Sequence, residues 1–337
     1  MTRILSGIRP SGKLHLGNYL GAIKNWIDLQ DKNPEFCVFM IADYHGITTP
    51  FEPKKYGGQV LDTACEFLAA GLDPKKVLLI RQSQIPQHTE LAWIFNSITP
   101  VSWLDRLPTY KEQLEKTKSN NAGLLDYPIL MAADILIYKA NLVPVGEDQL
   151  PHIDLTNEIL KKFNSMFGQT FEPVRVHMAP GARIMSLQEP ESKMSKTPIP
   201  SASGGATGQA GDENCIFLTD TPNAIREKIK KAVTDSGKEI KYDPGNKPAI
   251  SNLLTIHSLL SNKKISDLEK KYEGKSYVDF KNGLAEVIVE FLKPFQKKYE
   301  EFSKNRDEVM KTLTVSEENA RNIASSTLAE VKEKLGL

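Results

Sequence analysis

The sequence predicts an α/β protein in which a doubly wound parallel sheet is followed by an all-helical part. Three observations carry this. Short apolar runs alternate with helical patterns through residues 3–83, a glycine-rich loop follows the first run directly, and β-type patterning stops near Pro222.

The elements follow in order. RILSGI (residues 3–8) reads as a strand. After GIRPSGKLHLGN (residues 7–18), Leu16, Tyr19, Leu20, Ile23 and Ile27 recur at the spacing of an amphipathic helix. FCVFMIAD (residues 36–43) is a continuous apolar run of strand length, the pattern of a strand covered on both faces. A helical pattern from Lys54 to Leu72 stops at Asp73-Pro74, and KVLLIRQS (residues 76–83) supplies a third strand. Ligands of such a sheet lie beyond the carboxyl ends of its strands, and the opening loop is at one. Farther on, Thr221-Pro222 has the form of a helix cap and first turn. Ser316 with Glu317 and Glu318 marks another helix start, and Gly336 a stop. TPIPSASGGATGQAGD (residues 197–212) cannot pack a core and reads as a mobile loop. The expected divisions are residues 1–197, 198–213 and 214–337.

With 337 residues, 40% of them hydrophobic and 25% charged, the chain can bury a large core and has the composition of a globular protein rather than a disordered one. A net charge of +1 gives no global signature of a nucleic-acid binder. Residues 222–337 carry 22 basic and 18 acidic side chains, net +4, against 21 and 24, net −3, in the first 221. This asymmetry is compatible with RNA contact by the C-terminal part and equally with solvated surface. Cys37, Cys65 and Cys215 are odd in number and far apart, so neither a disulfide framework nor a cysteine metal site is expected, and a reducing compartment is. No apolar run has the length of a signal-peptide core or a membrane span, which points to a cytoplasmic protein without a membrane partner.

Gly7, Gly12 and Gly17 keep bulk out of the loop while Lys13 and His15 add donors for an anion. The unpaired N–H groups of a helix start would face the same crevice. The spacing is neither G-x-G-x-x-G nor the P-loop, so the loop alone is either an ordinary strand-to-helix turn or a nucleotide cradle. KMSKT (residues 193–197) is likewise either an exposed charged turn or a pair of lysines placed to neutralise a leaving pyrophosphate.

Together the two are more specific. HLGN (residues 15–18) resembles the HIGH motif and KMSKT the KMSKS motif of the class I aminoacyl-tRNA synthetases, in the same order and on the same elements. The resemblance implies a Rossmann-like catalytic domain, ATP with Mg2+ as substrate, no prosthetic group, and C-terminal helices that recognise a tRNA anticodon. His15, Asn18, Lys193 and Lys196 would act in catalysis. Arg9, Ser11, Gly17, Lys111, Gly146, Asp148, Met194 and Ser195 would join them in binding ATP.

Tyr127, Met131 and Asp134 are spaced i, i+4, i+7 and share one helix face. Spacing alone leaves two readings: Tyr127 and Met131 in a core with Asp134 at the surface, or a pocket for an aromatic ligand with one hydrogen-bond donor. YPILMAADIL (residues 127–136) and VPVGEDQ (residues 143–149) resemble the amino-acid pocket of the tryptophanyl-tRNA synthetases, and the similarity extends through AVTDSG (residues 232–237) and YEGKSY (residues 272–277). By that resemblance Asp134 accepts the indole N–H, Met131 packs on the ring with Val143 and Val145, Tyr127 and Gln149 hold the ammonium, and Leu5 and His45 line the pocket. The implied partners are L-tryptophan, ATP, tRNA(Trp) and a second copy of the chain in a homodimer. Three departures stand out: Arg9 where glutamine is expected, Thr197 closing the second motif, and an insertion of about a dozen residues after it. The rival readings are a tyrosine-specific synthetase, against which MAAD (residues 131–134) argues, and a catalytically silent RNA-binding paralogue.

Overall fold

The N-terminal half alternates strands and helices: β1 (Ile4–Ile8), α1 (Leu16–Asn18), a π-helical turn (Tyr19–Ile23), α2 (Lys24–Lys32), β2 (Cys37–Ile41), α3 (Asp43–Gly46), α4 (Pro53–Ala70), β3 (Leu78–Arg81), α5 (Gln87–Ile98), α6 (Val101–Asp105), α7 (Ala122–Ile137), β4 (Leu142–Val145), α8 (Leu150–Phe167) and β5 (Arg175–Met178). This is a computed structural model describing residues 2–32, 36–108, 110, 121–178, 183–195 and 210–337. Among the described residues the strands form one parallel sheet in the order β3-β2-β1-β4-β5. The chain's winding direction reverses between β1 and β4, so the ligand crevice of a doubly wound sheet falls there.

β2 shows why the apolar run needs two covers. Alternate residues of a strand point to opposite faces. Val38 and Met40 join a cluster with Ile80, Phe95, Ala133 and Phe163, whereas Phe39 stacks on Trp26 of α2 at 4.8 Å, with Phe67 of α4 edge-on to that indole at 5.5 Å. Every residue of β2 is buried. The three cysteines are buried and unbridged, and burial pushes the Cys37 thiol up to about 11, far from reactive.

The described chain beyond residue 209 is helical, with α9 (Ala210–Glu213), α10 (Pro222–Lys231), α11 (Pro248–Ser261), α12 (Ile265–Lys271), α13 (Tyr277–Lys304) and α14 (Arg306–Leu335). The Ala224 N–H donates to the Thr221 hydroxyl at 3.3 Å and Pro222 fills the first turn, as the cap pattern predicts. Gly336 ends α14 with φ 75. Of the expected loop, residues 198–209 lie outside the described residues, and its end is not loop but the short helix α9.

One expected start is corrected. Ser316 does not begin a helix but lies inside α14, with Ser316 and Glu317 both buried. The same letters that cap a helix also serve when a buried acid has a cationic partner. Here the Arg81 Nε and an Arg81 terminal nitrogen donate to the two Glu317 oxygens at 2.7 and 2.8 Å. Removing one side of a buried pair leaves an uncompensated charge and costs about 3 kcal/mol. Glu317→Ala should therefore lower the urea midpoint, and an unchanged midpoint would show that the pair adds nothing.

Packing gathers the chain into two units, one comprising Met1–Gly12, Asn25–Ala179 and Phe302–Leu337, the other Lys13–Lys24 and Pro180–Glu301. In the first, Ala320, Ala324, Leu328 and Val331 place a helical stripe of α14 in the core around the sheet. In the second, Ile225, Ile229, Ile250, Leu254, Leu284 and Ile288 are fully buried.

Candidate active site

In the loop after β1, the Ser11 N–H donates to the Arg9 carbonyl at 2.8 Å, and Gly12 takes φ 105, a backbone conformation that side-chain-bearing residues rarely adopt. Both Arg9 and Ser11 are exposed. His15 and Asn18 then lock α1 reciprocally. The Asn18 N–H donates to His15 Nδ1 at 3.3 Å, and the His15 N–H donates to Asn18 Oδ1 at 3.2 Å. Because Nδ1 accepts, the ring proton sits on Nε2, the atom able to donate to an anion.

Gly17 explains the third glycine of the loop. A Cβ there would come within 3.0 Å of His15 Nδ1 and 3.4 Å of Met194 Cβ, so the second unit brings HLGN and KMS together. The Met194 N–H donates to the Ile184 carbonyl at 2.9 Å, and Met194 is buried while Lys193 is exposed and Ser195 half-buried. Lys111, Lys196 and Thr197 lie outside the described residues.

In the first unit the predicted stripe is helical, on α7. Asp134 is not at the surface: its exposure is 1%. The Gln82 amide donates to both carboxylate oxygens at 2.8 and 2.9 Å, His88 Nδ1 lies 2.5 Å from Oδ1, and His45 Nε2 lies 2.7 Å from Oδ2. Burial works to raise the pKa of this acid, and the hydrogen bonds and charges of His45 and His88 overcome it, holding the carboxyl below its usual range.

Tyr127 presents its edge to the His45 ring at 6.1 Å, and its hydroxyl lies 3.1 Å from His152 Nε2. Burial, with His45 nearby and against the pull of Asp148, pushes His152 down to about 4, so it is neutral at pH 7. Leu5 and Val143 are buried, and the half-buried Met131 and Val145 pack against the same apolar cluster. Gly146 follows β4 directly, and the Gln149 amide donates to Asp148 at 2.9 Å in the turn that leads into α8. A side chain at 146 would press on Asp148 Oδ1 at 2.9 Å.

Gln82, His88, Tyr138 and His152 are absent from the sequence expectations. Gln82 carried a usable signal, since it immediately follows β3 at the sheet's carboxyl edge. His88 carried none, because its partner Asp134 is 46 residues away.

A doubly wound parallel sheet in one unit, and a HIGH-like helix start with a KMSKS-like segment in the other, are the defining features of a class I aminoacyl-tRNA synthetase. The family model for class I tRNA synthetases of the W and Y type matches residues 1–293. The tryptophan–tRNA ligase of Caldanaerobacter subterraneus is 43% identical over 340 aligned positions, covering 100% of this chain and 99% of the relative. Tryptophanyl-tRNA synthetase from Mycoplasma pneumoniae superposes with a TM-score of 0.86 at 32% identity, covering 100% of this chain and 98% of that one. The Campylobacter jejuni enzyme, solved in complex with ADP and tryptophan, gives a TM-score of 0.84 at 32% identity with both chains fully covered. The chain belongs to the tryptophanyl-tRNA synthetase family.

Proposed function

We propose that this chain activates L-tryptophan with Mg2+-bound ATP and charges tRNA(Trp). The observation that carries the reading is the buried carboxylate of Asp134, held ionised among inward-facing donors, in a chain whose full-length relatives are tryptophan–tRNA ligases. In the first step a tryptophan carboxylate oxygen attacks the α-phosphorus of ATP, the bond to the bridging oxygen breaks, and pyrophosphate leaves with the Mg2+. In the second, the terminal ribose hydroxyl of the tRNA attacks the adenylate carbonyl, and AMP departs.

No side chain need become covalently attached, so the protein's part is orientation and charge stabilisation. Nε2–H of His15 donates to a phosphate oxygen, Asn18 fixes the histidine, and Lys193 and Lys196 meet the charge that develops on pyrophosphate. Arg9, Ser11, Gly17, Lys111, Gly146, Asp148, Met194 and Ser195 bind the rest of ATP. Asp134 accepts the indole N–H, Met131, Val143, Val145, Leu5 and His45 enclose the ring, and Tyr127 with Gln149 takes the ammonium. A neutral His152 behind Tyr127 spares that ammonium a like charge. Phenylalanine, with no donor, would leave the buried carboxylate short of a partner and be rejected. Residues 1–197 hold the catalytic domain in this reading, 198–213 the Gly/Ser-rich stretch that ends in α9, and 214–337 the anticodon-recognition helices. No helix among the described residues is long and apolar enough to cross a membrane, and the proposed place of work is the cytoplasm.

Exchange of labelled pyrophosphate into ATP tests the assignment without tRNA. Tryptophan alone should support it; exchange with tyrosine would overturn the specificity, and no exchange with either would favour a silent paralogue.

The proposed homodimer has physical support in the first unit. Trp93 on α5 is 75% exposed and Val101 on α6 61% exposed, large apolar surface of the kind interfaces cover. If Trp93 is an anchor of the interface, Trp93→Asp weakens the dimer by about 2 kcal/mol or more. Light scattering should then report a monomer at concentrations where the parent is dimeric; an unchanged mass would place the interface elsewhere.

A further inference from the structure

Asp134 and Tyr138 stand one helical turn apart, and His88 on α5 lies between their polar groups. His88 Nδ1 is 2.5 Å from Asp134 Oδ1, and His88 Nε2 is 2.8 Å from the Tyr138 hydroxyl. His88 and Tyr138 have no exposed surface, so solvent takes no part in setting these bonds. A carboxylate can only accept, which puts a proton on Nδ1 and aims it at Asp134. Burial, reinforced by the charge of Asp134, raises the Tyr138 phenol far above its ordinary value, so the hydroxyl keeps its proton.

Gln82, also without exposed surface, completes the rigid side of the arrangement. His45, at 9%, is the most exposed of the three donors on Asp134, and its contact is the one an entering N–H shares or replaces.

We infer that His88, itself fixed by Tyr138, is a positioning residue for amino-acid selection: it holds the Asp134 carboxylate in the orientation that reads a ring N–H. The inference rests on the proposed role of Asp134 and deepens it. His88 touches neither substrate in this scheme and acts only through the carboxylate. Its loss should therefore blur the choice between ligands with and without the N–H while leaving ATP use alone. A merely space-filling His88 would behave otherwise, because leucine would replace it well and the smaller asparagine poorly.

The experiment compares His88→Leu with His88→Asn, whose amide nitrogen can stand where Nδ1 stands. The readout is the ratio of kcat/KM in pyrophosphate exchange for tryptophan over an analogue carrying sulfur in place of the ring N–H, with the KM for ATP followed in parallel. His88→Leu should cut this ratio about tenfold, the loss expected for one buried hydrogen bond to a charged group. His88→Asn should restore most of it, and the KM for ATP should stay within about twofold in both. An unchanged ratio in His88→Leu, or His88→Asn no better than His88→Leu, overturns the inference. If His88→Leu does not fold by circular dichroism, Tyr138→Phe takes its place, where a smaller drop supports the inference and an unchanged ratio overturns it. Asp134→Asn is measured alongside. A ratio lost there but kept in the His88 variants overturns the relay alone, whereas a ratio kept in Asp134→Asn removes the Asp134 reading and the relay with it.

Discussion

Asp134→Asn should lower kcat/KM for tryptophan about a thousandfold while the KM for ATP stays within about twofold, because sites built to bind a substrate donor lose discrimination steeply once that match is broken. The substitution keeps the size of the side chain and removes its charge. It also turns one acceptor into a donor, in a place where Gln82, His88 and His45 all point donors inward at 2.5 to 2.9 Å. At least one buried N–H is then left without an acceptor, and the new amide offers the indole a donor where it needs an acceptor. Steady-state pyrophosphate exchange at varied tryptophan and varied ATP separates the effects. An equal fall for both substrates would mean that Asp134 holds the fold rather than the ring, and an unchanged tryptophan value would mean that it does neither.

The second large effect concerns Lys193. Lys193→Ala should reduce kcat about a hundredfold with little change in the KM for tryptophan, the loss typical of removing one group that meets charge as it develops. The exposed lysine adjoins Met194, which is buried and tied through its N–H to Ile184 at 2.9 Å, so the backbone keeps its course when the lysine side chain is removed. Single-turnover formation of the adenylate, followed at saturating tryptophan and ATP, isolates the chemical step. An enzyme with the parent's rate would exclude Lys193 from that step, and a raised tryptophan KM at normal kcat would assign it to binding.

Much of the fold was legible because its signals are local. The continuous apolar run of β2 and the helical stripe after the first loop each declare themselves within a dozen or so residues. The cap at Thr221 and the stop at Gly336 are equally local, since each satisfies backbone groups within one turn. Ser316-Glu317-Glu318 misled for the same reason. It has the local form of a helix start, and its buried acid is explained by Arg81, 236 residues away.

The candidate site divides along the same line. The helical face shared by Tyr127, Met131 and Asp134 and the place of Gly17 at a helix start follow from periodicity and chain order. Whether Asp134 was surface or pocket did not, and neither did the choice of Gln82 and His88 as its partners, 52 and 46 residues away.

The sequence by itself therefore determined the first three strands with the helices between them, the parallel character of their sheet and the two motifs whose resemblance pointed to a synthetase, because backbone hydrogen bonding and the periods of strand and helix act over a few residues. Only the tertiary structure decided that α14 packs in the core of the N-terminal sheet, that Gly17 meets Met194, and that Asp134 lies buried between Gln82, His45 and His88. A buried charge is tolerated only where donors converge on it, and that convergence is a property of packing between distant segments.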